Sequence, residues 1–210
     1  MESLNLSNPL VIVVAGPPGS GKSFFATQFA QTFGAALVSR DKVRWTLFAH
    51  HTYSDNENTM VEQVADLIVT ELFRTGKTFV LDGGYDTRTA RAELTAEAKK
   101  AGFKILTIVV QTDGPTSQTR ATKRDARRSG DKYKQSLSAE EFDAQVKAYQ
   151  PPIVDKNTVV ISGKHTYQTQ ARTVLKKIIE TQGVKRSATP TAEAPGTRPP
   201  IARSRGPFVQ

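Results

Sequence analysis

The chain has 210 residues, 38% of them hydrophobic and 23% charged, the makeup of a globular protein with one domain and a sizeable core. It contains no cysteine, which excludes a disulfide framework, a thiolate metal site and a thiol nucleophile, and which agrees with a reducing, cytoplasmic setting. The net charge of +9 divides into +4 beyond residue 182, where Lys185, Arg186, Arg198, Arg203 and Arg205 face only Glu193, and +5 before it. That balance suits a phosphate-bearing or nucleic-acid partner without choosing one.

In chain order, the apolar run at residues 10–15 is too short for a signal peptide core or a membrane span and predicts a buried first strand. Phe25, Phe29 and Phe33 then recur at four-residue spacing, the stripe of an amphipathic helix. A second strand is predicted at 36–39, and a long helix follows whose apolar face is read as Met60, Val61, Val64, Leu67, Ile68 and Leu72. Strands at 78–81 and 104–110 bracket an Ala/Glu/Lys-rich helix over 87–101 that Gly102 ends. A fifth strand at 158–161 precedes a helix with Tyr167, Ala171, Val174, Leu175, Ile178 and Ile179 on one stripe. Strands alternating with helices predict an α/β fold with a mainly parallel five-stranded sheet between two helical layers, and ligands at the carboxyl ends of the strands. Beyond residue 182, Pro190, Pro195, Pro199, Pro200 and Pro207 lie among Ser, Thr, Ala and Arg without hydrophobic periodicity, so the expected division is a domain at 1–182 and a basic tail at 183–210.

Gly16-Pro17-Pro18-Gly19-Ser20-Gly21-Lys22-Ser23 fits G-x-x-x-x-G-K-[ST], and it stands between the first strand and the first helix, where a phosphate loop belongs. Its glycines permit a tight turn whose amides surround phosphate oxygens at the positive end of the helix. Lys22 is expected to hold the β and γ phosphates of ATP, and Ser23 to offer its hydroxyl to Mg²⁺. The bland reading, a glycine-rich turn, does not account for all the fixed positions together.

After the second strand, Ser39-Arg40-Asp41-Lys42-Val43-Arg44-Trp45 enters a helix, which puts Asp41 and Arg44 on one face. A carboxylate there accepts the proton of an attacking hydroxyl, and an arginine one turn on holds an anionic group of the acceptor. Taken alone, the pair reads as a helix cap and a solvated cation, and the phosphate loop reverses that preference. Asp82, before Gly83-Gly84, is either a metal-side carboxylate of the Walker B kind or a turn residue. Arg120, Arg124, Arg127 and Arg128, spaced for one side of a helix ahead of Ser129-Gly130, form a phosphate-closing lid beside such a loop and an ordinary basic face without it. Trp45 is read as core, and His50, His51 and His165 are given no metal or catalytic role.

The phosphate loop, the Arg-Asp-x-x-Arg run and Asp82 together resemble the P-loop kinases related to polynucleotide 5′-hydroxyl kinase, over roughly residues 11–149; zeta-toxin-type kinases share the Asp-x-x-Arg element. The resemblance implies a P-loop NTPase fold of nucleoside-kinase type with a helical lid. It implies Lys22 and Ser23 as ATP and metal ligands, Asp41 as general base, Arg44 as acceptor-phosphate contact, and Arg124, with Arg120 second, as lid arginine. It departs where Asp-x-Asn is replaced by Asp82-Gly83-Gly84, which removes a side chain from the acceptor cleft. The expected activity is transfer of the ATP γ-phosphoryl group to a nucleic-acid or nucleoside 5′-hydroxyl. A kinase for a sugar, sugar nucleotide or antibiotic keeps the same chemistry, and an ATP-dependent nucleic-acid-binding protein without a phosphorylated product is the reading from another class.

Overall fold

The computed structural model describes residue 6 and residues 8–125 and 132–182. Five strands, β1 (Leu10–Ala15), β2 (Ala36–Ser39), β3 (Phe79–Asp82), β4 (Lys104–Gln111) and β5 (Thr158–Ser162), form one sheet in the order β2-β3-β1-β4-β5. Every neighbouring pair is parallel. The connections carry α1 (Lys22–Phe33), α2 (Arg40–Leu47), α3 (Asp55–Thr75), α4 (Arg88–Lys100), α5 (Gly114–Thr122) and α6 (Ala139–Ala148), and α7 (Tyr167–Gln182) follows β5.

All six residues of β1 are buried because the strand is central and covered on both faces. Leu10, Ile12 and Val14 meet Phe25 and Phe29 of α1 and Val174 and Ile178 of α7 on one face. Val11 and Val13 meet Ala65 and Val69 of α3 and Leu94 and Ala98 of α4 on the other. This is the predicted α/β sandwich of three layers. The chain passes from β1 to β2 on one side and later to β4 on the other, so a crevice opens beyond the carboxyl end of β1 at the switch point.

The differences from expectation have local causes. In α3 the buried stripe is Val61, Ala65 and Val69, spaced by four, while Met60, Leu67 and Ile68 are exposed. Ile179 likewise faces outward from α7. The arginine helix is shorter than its spacing suggests: α5 starts on the Asp113 cap with proline in its first turn and closes at Lys123, so Arg124 lies past its end. α6 is set by the Ser138–Glu141 capping box and buries only Phe142, which leaves little apolar pattern to read. Arg127, Arg128, Ser129, Gly130 and the tail from 183 lie outside the described residues. No helix among the described residues is long and apolar enough to cross a membrane.

Candidate phosphate and acceptor site

The loop between β1 and α1 folds around backbone constraints that its glycines meet. Gly19 has φ +74, and a Cβ there would lie 2.0 Å from the carbonyl oxygen of Ser117 on α5, so neither the conformation nor the space admits another residue. Gly16 and Gly21 also have positive φ, and the Ser20 N–H donates to Pro17 O at 3.2 Å. α1 opens on Gly21 with no side-chain cap and no acidic residue in its first turn. Its first amides and its positive end are therefore available to an anion, which is the chemistry a phosphate needs. The ammonium of Lys22 reaches back over the loop to Gly16 O at 2.5 Å and Pro17 O at 2.9 Å. Desolvation, assisted by the nearby Lys134 charge and opposed by Asp86, Asp82 and Asp41, lowers its pKa to about 8.

Ser23, one residue into α1, donates its hydroxyl to Asp82 Oδ1 at 2.8 Å, and the Ser39 hydroxyl donates to Asp82 Oδ2 at 3.3 Å. Asp82 ends β3 and is buried. The Ser23 hydroxyl and the Asp82 carboxylate thus present hard oxygen donors to one point, and the Lys134 ammonium already donates to Ser23 Oγ there. The donor set suits Mg²⁺ shared with nucleotide phosphates and water. It does not suit an all-protein cage: no group of three or more His, Asp or Glu side chains fit to hold a metal occurs among the described residues.

Asp41 stands in the first turn of α2, whose N-cap is Ser39, and no side chain caps that helix. Its carboxylate is 40% exposed and pairs with Lys134 at 3.3 Å, so it faces the same cavity as the phosphate loop. Lys134 therefore connects Ser23 on the phosphate side to Asp41 on the other side. The sequence reading missed it, because a lone lysine in an irregular segment has no periodicity or motif to mark it.

Arg44 lies elsewhere. It is buried, ion-paired with Glu57 and bonded to Asn58 Oδ1 at 2.7 Å, with its guanidinium 4.4 Å from the centre of the Tyr53 ring. It is not among the residues lining the cavity; one turn of α2 carries it under the 52–53 segment instead. Burial raises the Glu57 pKa, but hydrogen bonds from the Thr52 side chain, from Arg44 and from the Thr52 backbone outweigh it and hold the carboxyl at about 2. The arginine of α2 that faces the cavity is Arg40, which pairs with Glu62 at 3.3 Å and lies over the Tyr85 ring at 5.4 Å. Gly84, at φ +88, makes room for it: a Cβ there would meet Arg40 Nε at 2.2 Å. Gly84 thus admits the Arg40 side chain beside Asp82.

Arg120 and Arg124 both line the cavity. Arg120 donates to Gly163 O at 3.1 Å, and Arg124 to Gln135 O at 2.6 Å. The cavity encloses about 1040 Å³ and is lined by the cations Lys22, Arg40, Arg120, Lys123, Arg124, Lys134 and Lys164 against the carboxylates Asp41, Asp82, Asp86 and Glu141. Pro18, Gly19, Ser20, Gly21, Lys22 and Ser23 form its floor. Its cationic excess draws an anionic ligand, and its size admits a nucleotide beside a second substrate. Trp45, read as core, is 40% exposed.

Solved structures share this architecture. Kti12 of Chaetomium thermophilum, in complex with ADP-AlF3, superposes with TM-score 0.61 at 20% identity over 82% of this chain and 98% of that one. The APS kinase of Mycobacterium tuberculosis, in complex with AMPPNP and APS, superposes with TM-score 0.57 at 17% identity over 81% and 98%. A chain of the Pnkp1/Rnl/Hen1 RNA repair complex does so with TM-score 0.57 at 19% identity over 69% of this chain and 45% of that chain. At these identities the likeness is one of fold alone. No curated protein matches the chain in sequence. The family model described as an AAA domain matches residues 11–152, the stretch that runs from β1 past α6, and the chain belongs to that family.

Proposed function

We propose that this protein is a kinase that transfers the γ-phosphoryl group of ATP to an acceptor hydroxyl, with a nucleic-acid or nucleoside 5′-hydroxyl as the favoured acceptor. The observation that supports it most is the position of Asp41: a carboxylate free of capping duty, facing a phosphate loop across one cavity and joined to it by Lys134. In this reading the uncapped amides of α1 and the Lys22 ammonium hold the β and γ phosphates. Mg²⁺, which Ser23 would hold with Asp82 beside it, would supply neutralising charge on the phosphate oxygens. Asp41 accepts the hydroxyl proton as the acceptor oxygen bonds to γ-phosphorus and the bond to the β-phosphate oxygen breaks, leaving ADP. Arg120, Arg124 and Lys134 stabilise the charge carried by the transferring group. Arg44 acts through the segment it supports.

A second reading keeps these roles and makes the acceptor a small molecule. The superposition on an APS kinase, matched over 98% of its length, favours it. Incubation of the full chain with γ-labelled ATP and Mg²⁺ against single-stranded oligonucleotides bearing 5′-hydroxyls, nucleosides, sugars and sugar nucleotides separates the two. Label on the oligonucleotide or nucleoside supports the favoured acceptor, and label on a sugar or sugar nucleotide alone replaces it. ATP binding with no labelled product from any acceptor would contradict the kinase reading and leave a nucleotide-dependent binding protein.

A further inference from the structure

Beside the cavity, four aromatic rings from three separate segments form a continuous strip. Tyr53 and His51 line the cavity, with ring centres 6.5 Å apart. His51 stacks at a tilt on Trp45 of α2 at 4.5 Å, and Trp45 meets the edge of Tyr133 at 6.3 Å. Trp45 and Tyr53 are 40% and 41% exposed. Rings of this size bury a large apolar area when they join a core, so their exposure at a cavity mouth asks for a ligand-side explanation.

The near end of the strip is held firmly. Tyr53 is the one non-glycine residue among those described with positive φ, at 54°. Its backbone N–H donates to Glu57 at 3.1 Å and that of Thr52 does so at 2.6 Å, while its ring rests on Arg44. The buried Arg44–Glu57 pair thus fixes a strained tyrosine at the cavity wall, and such strain persists only where the surroundings impose it. At the far end, the ammonium groups of Lys42 and Lys132 lie 5.6 and 5.5 Å from the Tyr133 ring centre. Aromatic faces with lysines at one end are what unpaired bases and their phosphodiesters require: stacking takes the bases in any sequence, and the lysines meet the backbone. The successive ring steps outrun a single sugar and match the reach of consecutive nucleotides.

We propose that this strip binds the unpaired 5′ end of a nucleic acid and leads its terminal hydroxyl past Tyr53 to Asp41. The proposal rests on the kinase reading above for the direction of the strand, but binding itself does not depend on catalysis. Trp45 is the single tryptophan of the chain, so its emission reports occupancy directly. The full chain, without ATP, is titrated with a single-stranded oligonucleotide bearing a 5′-hydroxyl, with the blunt duplex of the same sequence, and with inorganic polyphosphate of matched charge.

The expected result is quenching of Trp45 and tightest binding by the single strand. Tyr133→Ala weakens that binding by roughly 5- to 100-fold, the stacking of about one base, and Tyr133→Phe restores it. Lys42→Ala with Lys132→Ala lowers the salt slope by about 1.4. ATP affinity and melting temperature of the Tyr133 variants stay unchanged, which separates loss of stacking from loss of fold. Single strand, duplex and polyphosphate binding equally, or Tyr133→Ala binding the single strand as wild type does, would overturn the proposal. Single-strand binding lost on Tyr133→Ala, with no label transferred to any acceptor, would support the strip and sink the kinase reading; a sugar phosphorylated by a chain that binds no oligonucleotide would do the reverse.

Discussion

The pKa of Lys22 gives the nucleotide site a pH dependence that a solvated lysine would not have. Burial, with Lys134 adding to it, lowers the group from the ordinary 10.5 to about 8. About nine-tenths of the molecules then carry the ammonium at pH 7 and about one-tenth at pH 9. ATP phosphates bind the charged form and restore its proton, so the apparent Kd for ATP rises about tenfold between pH 7 and pH 9, about 1.4 kcal/mol. Titration calorimetry in two buffers of different ionisation enthalpy reads both the Kd and the uptake, approaching one proton per ATP at pH 9. Lys134→Met removes a charge that depresses Lys22 and moves the onset to higher pH. The nucleotide-free protein behaves in the opposite sense: the unfolded chain holds more protons between about pH 8 and 10.5, so this group adds stability as pH rises through that window. A Kd flat from pH 7 to 9 with no proton uptake would refute the reasoning.

Gly19→Ala places a Cβ 2.0 Å from Ser117 O at φ +74, so the loop must shift; loss of ATP binding at a strain of about 1–2 kcal/mol or more is expected, and an unchanged ATP Kd would contradict the loop geometry. Arg44→Ala leaves Glu57 buried without its guanidinium, so the melting temperature falls by roughly 5–15 °C, and acceptor KM rises alike for phosphorylated and unphosphorylated acceptors. An effect confined to phosphorylated acceptors would return Arg44 to direct contact. Because the Glu57 pKa is lowered to about 2 on folding, its contribution is present above the ordinary 4.5 and is lost as pH falls from there toward 2. Glu57→Gln should flatten that limb of the acid unfolding profile.

The fold was legible because β1 and the phosphate loop combine two local signals, an apolar run and a fixed glycine pattern, with the helix that follows. Elements with an apolar stripe, such as α1 and α7, were also readable. α6 was not, since a capping box and one buried phenylalanine hold it. In the site, Asp41 and Asp82 were reachable from motif context. Arg44 lies off the cavity because three-residue spacing sets a shared face but not that Glu57, thirteen residues away on α3, claims its guanidinium. Arg40 and Lys134 were invisible for a related reason: their places follow from Gly84 clearing space and from a loop returning to Ser23, both contacts between distant residues. The aromatic strip joins three segments, so no window of sequence contains it.

The most direct test of the account is single-turnover transfer of the γ-phosphoryl group by wild type and Asp41→Asn under saturating ATP and Mg²⁺, with melting temperature and ATP affinity measured on the same samples. Asparagine keeps the shape of the side chain and removes the base. The account predicts transfer slowed by roughly 10² to 10⁴ fold with ATP affinity and melting temperature close to wild type. Full transfer by the variant, with or without a lower melting temperature, would contradict it.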